Sequence, residues 1–150
     1  MARARRGDVI DEDRVGTYHC INRCVRRAYL CGNDSVSGKS YEHRRAWLQN
    51  RLEELAGLFA IDVLAFAVMS NHIHVVVRNR PDVVAGWSDK EVARRWLLLF
   101  PAVRDDDGSP VAPTAKQLKA ITSDRQRLAE LRRRLSSISW LMRSICGSKP

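Results

Sequence analysis

Residues 61–78 constrain this chain more than any other stretch. Ile61 to Met69 reads I-D-V-L-A-F-A-V-M, rich in β-formers and apolar on both faces, which predicts a central strand. Ser70-Asn71 supplies turn residues, and Ile73 to Arg78 (I-H-V-V-V-R) is a second β-branched run. Two such runs around so short a turn predict an antiparallel hairpin.

The rest of the chain is organised about that hairpin. Val15 to Cys24 predicts a strand with Tyr18, Cys20 and Asn22 on one face. Turn residues fill 32–39. A helix is expected from Ser40 as N-cap, its apolar face carried by Trp47, Leu48, Leu52, Leu55 and Phe59. Pro81 closes the hairpin, and Ser88-Asp89-Lys90-Glu91 is a capping box opening a helix through Val92, Trp96 and Leu99 to Pro101. From Thr114, Ile121, Leu128, Leu135 and Met142 recur by sevens with Leu131, Ile138 and Ile145 between them, a helical seam that Ser136-Ser137 can interrupt. The expected order is strand, helix, hairpin, helix and helical tail. It predicts an α+β fold, an antiparallel sheet with helices on one face. A flexible arm (1–14) would precede a body (15–104) and a basic helical extension (114–150).

Charge narrows the partners. The 150 residues hold 26 Lys and Arg against 17 Asp and Glu, a net charge of +9, which favours an anionic partner. Residues 114–150 carry nine basic and two acidic residues, so the excess concentrates there. The charge runs of that tail, Arg125, Arg127, Arg132, Arg133 and Arg134, suit either phosphate contacts or a solvated helix face. Arg23, Arg26 and Arg27 after the first strand form a second basic group. Trp87 and Trp96 are candidates for base stacking, with core packing the plainer role for Trp96 and for Trp140. No apolar run is long enough to cross a bilayer and no secretory leader opens the chain, so a membrane partner is not expected.

Cys20 and Cys24 form a C-x3-C spacing, but no second Cys/His pair follows it, so Cys20, Cys24, Cys31 and Cys146 are read as reduced thiols of a cytoplasmic protein. Asp105-Asp106-Asp107-Gly108 lacks the alternating ligands and closing Glu of a calcium loop and reads as a solvated turn.

The chemistry sits at the mouth of the hairpin. In His72-Ile73-His74, the strand period of two puts both imidazoles on one face and Ile73 and Val75 on the other. Two neutral imidazoles are a pair of ligands for a divalent metal, leaving positions for water, substrate oxygen and a third ligand. A solvent-facing pair on an edge strand accounts for the same spacing.

The run Ala67-Val68-Met69-Ser70-Asn71-His72-Ile73-His74-Val75-Val76-Val77 resembles the signature of the single-strand HUH transposases of the insertion-sequence type, and most of all the REP-associated tyrosine transposases. That signature is M-P-N-H-x-H followed by apolar strand residues; Ser70 stands here in place of the proline. Tyr18-His19-Cys20-Ile21-Asn22-Arg23 is similar to the family's Y-H-x-x-x-R opening. The resemblance spans most of residues 15–150. It implies a ferredoxin-like domain that binds and nicks single-stranded or hairpin DNA, associated with the nucleoid and active as a monomer or homodimer. It also implies Mg²⁺ or Mn²⁺ held by His72 and His74, and a tyrosine on a later helix as nucleophile.

The resemblance breaks at that tyrosine. The chain's tyrosines are Tyr18, Tyr29 and Tyr41, all upstream of the histidines. Tyr18 reads as a strand aromatic and Tyr41 as helix packing, and Tyr29 is the least constrained. Residues 140–150 look like the start of a family helix that stops early, so the resemblance implies a shortened copy. A non-catalytic module gripping single-stranded or hairpin nucleic acid is the competing expectation.

Overall fold

In the computed structural model, which describes residues 6–23, 32–40 and 42–147, the β-rich segments become three strands. These are β1 (Gly16–Arg23), β2 (Ile61–Val68) and β3 (His72–Asn79), in the order β1-β3-β2 with both pairings antiparallel. Thus β1 and β2 run parallel, with β3 inserted between them. The chain is α+β, as its pattern predicted. The central strand, however, is β3 rather than β2. The apolar run of β2 sits at an edge all the same, with Ala65 and Ala67 opposite Val76 and His74 of β3 and no strand of the described residues on its other side. Leu64 and Phe66 there stay 46% and 42% exposed, beside a bulge between Val63 and Ala65.

The alternation of β3 decides the two faces. Ile73, Val75, Val77 and Asn79 are buried, whereas His72, His74, Val76 and Arg78 point to the other, open side. Cys20, opposite Val75, is buried on the covered face with them.

Helix α1 (Arg6–Val9) precedes β1, and α2 (His43–Leu58) connects β1 to β2. Leu48, Leu52 and Leu55 of α2 are buried. This helix begins two residues later than its sequence suggests, with Glu42 instead of Ser40 at the N-cap. Ser40 is taken up in a bridge with Asn33, and the Asp34 carboxylate accepts from Val36 N and Ser37 Oγ, so the loop closes on itself before the helix starts.

After β3 come α3 (Pro81–Ala85), α4 (Asp89–Leu99), α5 (Ala115–Thr122), α6 (Arg125–Arg134) and α7 (Ile138–Gly147). Pro81 therefore starts a helix as well as ending the strand, in the first-turn position where its missing N–H costs nothing. Ser88 caps α4 by accepting from Glu91 N, but the Glu91 carboxylate turns to Arg94 and Arg95 instead of returning to the cap. The reciprocal capping box forms at Thr114 and Gln117 of α5. The tail breaks twice, at Ser136-Ser137 and also before Asp124, whose side chain caps α6 through Arg127 N.

Every residue of the predicted seam is buried: Ile121, Leu128, Leu131, Leu135, Ile138, Met142 and Ile145. They belong to the same core cluster as Val75, Val77 and Leu52, and Leu135 O accepts from Ala60 N. The helices α5, α6 and α7 thus contribute their seam residues to the fold's core. The arm expected to be flexible is anchored at its inner end. Asn79, fully buried, donates to Asp11 O and Arg14 O and accepts from Gly16 N, while Ser137 donates to Glu12. Among the described residues, no helix is long and apolar enough to cross a membrane.

Candidate nucleic-acid interface

The open face of the sheet gathers what the sequence separates. Register places His19 opposite Val76, Ile21 opposite His74 and Arg23 opposite His72. On the other side of β3, Ala67 lies opposite His74. Residues facing each other across a ladder share a face, so His19, Ile21, Arg23, His72 and His74 form one surface. It is solvent-accessible: His19, Ile21 and Arg23 are exposed, and His72 and His74 partly so.

The three rings contact one another. His72 and His74 meet edge to face with centroids 4.8 Å apart, and His19 stacks on His74 at 5.1 Å. His19 Nε2 lies 2.9 Å from His74 Nδ1, and His72 Nδ1 lies 2.5 Å from Asn71 Oδ1. Asn71 Oδ1 can only accept, so His72 Nδ1 carries the proton and its Nε2 keeps a lone pair. The His74 tautomer that donates from Nδ1 to His19 does the same for His74 Nε2. Orienting acceptors on the far nitrogens are the arrangement that metal-ligating histidines use. Imidazole donors therefore fit a divalent ion, with His72 and His74 as the residues that would hold it. Nitrogen donors suit manganese or zinc better than magnesium, which asks for oxygen ligands. Among the described residues, no group of three His, Cys, Asp or Glu side chains is arranged around one ion position.

None of the protein-family models, curated proteins or solved structures compared with this chain matches it.

At the opposite end of the same face, charge is internally balanced. Arg80 bonds the carboxylates of Asp82 at 2.8 Å and Asp62 at 3.3 Å. Those bonds raise the Arg80 pKa, and the bond from Arg80 holds Asp82 below its usual range. Asp62, the acidic residue of β2, is thereby engaged away from the histidines. Arg78 donates to Thr17 across the ladder.

The remaining candidates are dispersed. Arg23 joins the histidine surface, whereas Arg26, Arg27, Cys24, Cys31, Tyr29 and Tyr41 lie outside the described residues. On α6, Arg125, Arg127 and Arg133 are exposed. Their helix belongs to the layer behind the sheet, through buried Leu128 and Leu131, so it does not adjoin the histidine face. Arg132, expected either at a phosphate or on a solvated face, makes contacts within the fold. Its guanidinium donates to Val84 O at 2.6 Å and Trp87 O at 2.7 Å and pairs with Asp89. Arg134 pairs with Glu130 and lies over Trp140. Trp96 is core, and Trp87 is covered by the Arg95 guanidinium at 4.0 Å. The Cys20 thiol is buried.

Tyr18, the tyrosine within the described residues, shares the covered face with Cys20 and Val77, and its hydroxyl accepts from Asp11 N. It is on the wrong side of the sheet to reach anything held by the histidines. His19 is the site residue that spacing did not single out. Its position in the β1 pattern, one residue after an inward Tyr18, was the available signal, but pairing with His74 depends on a register no local pattern states.

Proposed function

We propose that the open face of the sheet is a metal-dependent binding surface for single-stranded or hairpin DNA, in a domain of the kind found in single-strand HUH transposases. One observation carries the reading: His72 and His74 each have Nδ1 hydrogen-bonded, to Asn71 and His19, leaving two Nε2 atoms on a face that also presents Arg23. The order β1-β3-β2 around a crossover helix agrees with it, being three of the four strands of a ferredoxin-like sheet. When bound, a divalent ion would neutralise and polarise a phosphodiester laid on this face. Arg23 would add a phosphate contact beside it, and the small Ala67 opposite His74 leaves a sugar–phosphate chain room to approach.

For this chain the binding role is favoured over strand transfer, because Tyr18 faces away from the histidines and is held by Asp11. Fluorescence anisotropy with hairpin-bearing single-stranded DNA tests both roles, with Mn²⁺ or with EDTA. The expected result is binding that weakens in EDTA and in His72→Ala, without a covalent adduct on a denaturing gel. Affinity indifferent to both changes would sink the proposal. An adduct lost in His72→Ala would restore the catalytic reading.

A further inference from the structure

The helical layer holds a pocket of about 470 Å³ that the histidine face does not share. It is bounded by Arg51 of α2, the end of α4 at Phe100, the following loop at Arg104, and Trp140 and Arg143 of α7. Its size falls in the range of small-ligand sites.

Three features give the pocket its chemistry. Arg51, Arg104 and Arg143 all line it, and none of its described lining residues is acidic. Arg51 is only 7% exposed; it pairs with Glu54 through one terminal nitrogen, but its buried Nε has no acceptor. A buried donor left unused beside a cavity calls for a partner that the protein itself does not supply. Aromatic surface lies next to the charge: Phe100 is 44% exposed and meets Trp140 edge to face, while Arg143 sits 4.8 Å from the Trp140 ring centre. That stacking holds the Arg143 guanidinium in place ahead of any ligand.

We propose that this pocket binds a nucleoside phosphate, the phosphate received by Arg51, Arg104 and Arg143 and the base laid against Phe100. Arginine forks suit phosphate oxygens, and an exposed ring beside them distinguishes a nucleotide from a bare anion. The nucleotide can be free or the phosphorylated end of a strand, since both present the same group.

Isothermal titration of the whole chain tests this with a nucleoside 5′-monophosphate, the matching nucleoside and inorganic phosphate. A short oligonucleotide with and without a 5′-phosphate then separates a free nucleotide from a strand end. Saturable binding of the monophosphate is expected, about tenfold or more tighter than either fragment. Arg143→Glu, at an exposed position, should weaken it about tenfold or more while leaving the melting temperature in place. Arg51→Lys, which keeps the charge but removes Nε, should also weaken it. His72→Ala should not change it, which separates this site from the histidine face. No saturable heat with the monophosphate, or equal affinity in Arg143→Glu, would overturn the proposal.

Discussion

His19 and His74, 55 residues apart in sequence, are joined by a 2.9 Å contact between Nε2 of the first and Nδ1 of the second. The bond lies diagonally across the β1–β3 ladder, since His19 is opposite Val76 and His74 opposite Ile21. It holds the ring of His74, and in the tautomer that donates from Nδ1 the other nitrogen keeps its lone pair. His19 is thus a positioning residue for the proposed metal pair. Loss of such an orienting partner typically costs about 10–100-fold in metal affinity. We expect that loss for Mn²⁺ in His19→Ala, measured by calorimetry, and substantial recovery in His19→Gln, whose amide oxygen can accept the same proton. Equal Mn²⁺ affinity in wild type and His19→Ala would remove His19 from the site.

Asn79 is expected to matter to stability as a buried polar residue of β3. It is fully buried and its amide makes three hydrogen bonds to backbone: from Gly16 N, and to Asp11 O and Arg14 O. Asn79→Ala would remove these three part-buried hydrogen bonds, each contributing about 0.5–1.5 kcal/mol. Urea unfolding should show a loss of about 3 kcal/mol. A loss below about 1 kcal/mol would mean that water replaces the amide at the start of β1.

How far such features could be read beforehand depends on whether they are local. The hairpin, the face of His72 and His74, and the buried seam from Ile121 to Ile145 follow from periodicity, and the structure places them as periodicity demands. The role of Asn79 was invisible because its partners lie 63 to 68 residues away. The edge position of β2 is not legible in its apolar run, because apolar residues at both parities do not say which strands pair with it, and Leu64 and Phe66 stay exposed there. His19 and the arginine-lined pocket escaped for a third reason: both are assembled by register and helix packing, which join residues that no local pattern links.

Two neighbouring arginines of α6 should behave oppositely. Arg132 ties α6 to carbonyls at the end of α3, Val84 O and Trp87 O, and to Asp89 at the start of α4. Arg133 is exposed. Charge-assisted hydrogen bonds to partly buried carbonyls carry about 1.5–3 kcal/mol, so Arg132→Ala should lower stability by about 2 kcal/mol. Arg133→Ala should stay within about 0.5 kcal/mol. Matching denaturation midpoints for the two variants would show that the Arg132 bridge contributes nothing to the fold.

Glu91 supplies the clearest pH dependence. The bond from Arg94, at 2.8 Å, does most to lower its folded pKa from 4.5 to about 2; burial opposes the shift and Arg95 adds to it. A carboxylate depressed on folding contributes stability above its unfolded pKa, and that contribution fades as protons bind between pH 4.5 and about 2. The side chain is 30% exposed, so solvent screens the pairs and the contribution at neutral pH should be about 1 kcal/mol. Asp34, Asp82 and Asp107 shift in the same direction, so the comparison has to be made against Glu91→Gln. That variant should be the less stable protein at neutral pH and match wild type near pH 2. Urea midpoints for the two proteins that differ by a constant amount across this range would assign the Glu91 effect to packing rather than to charge.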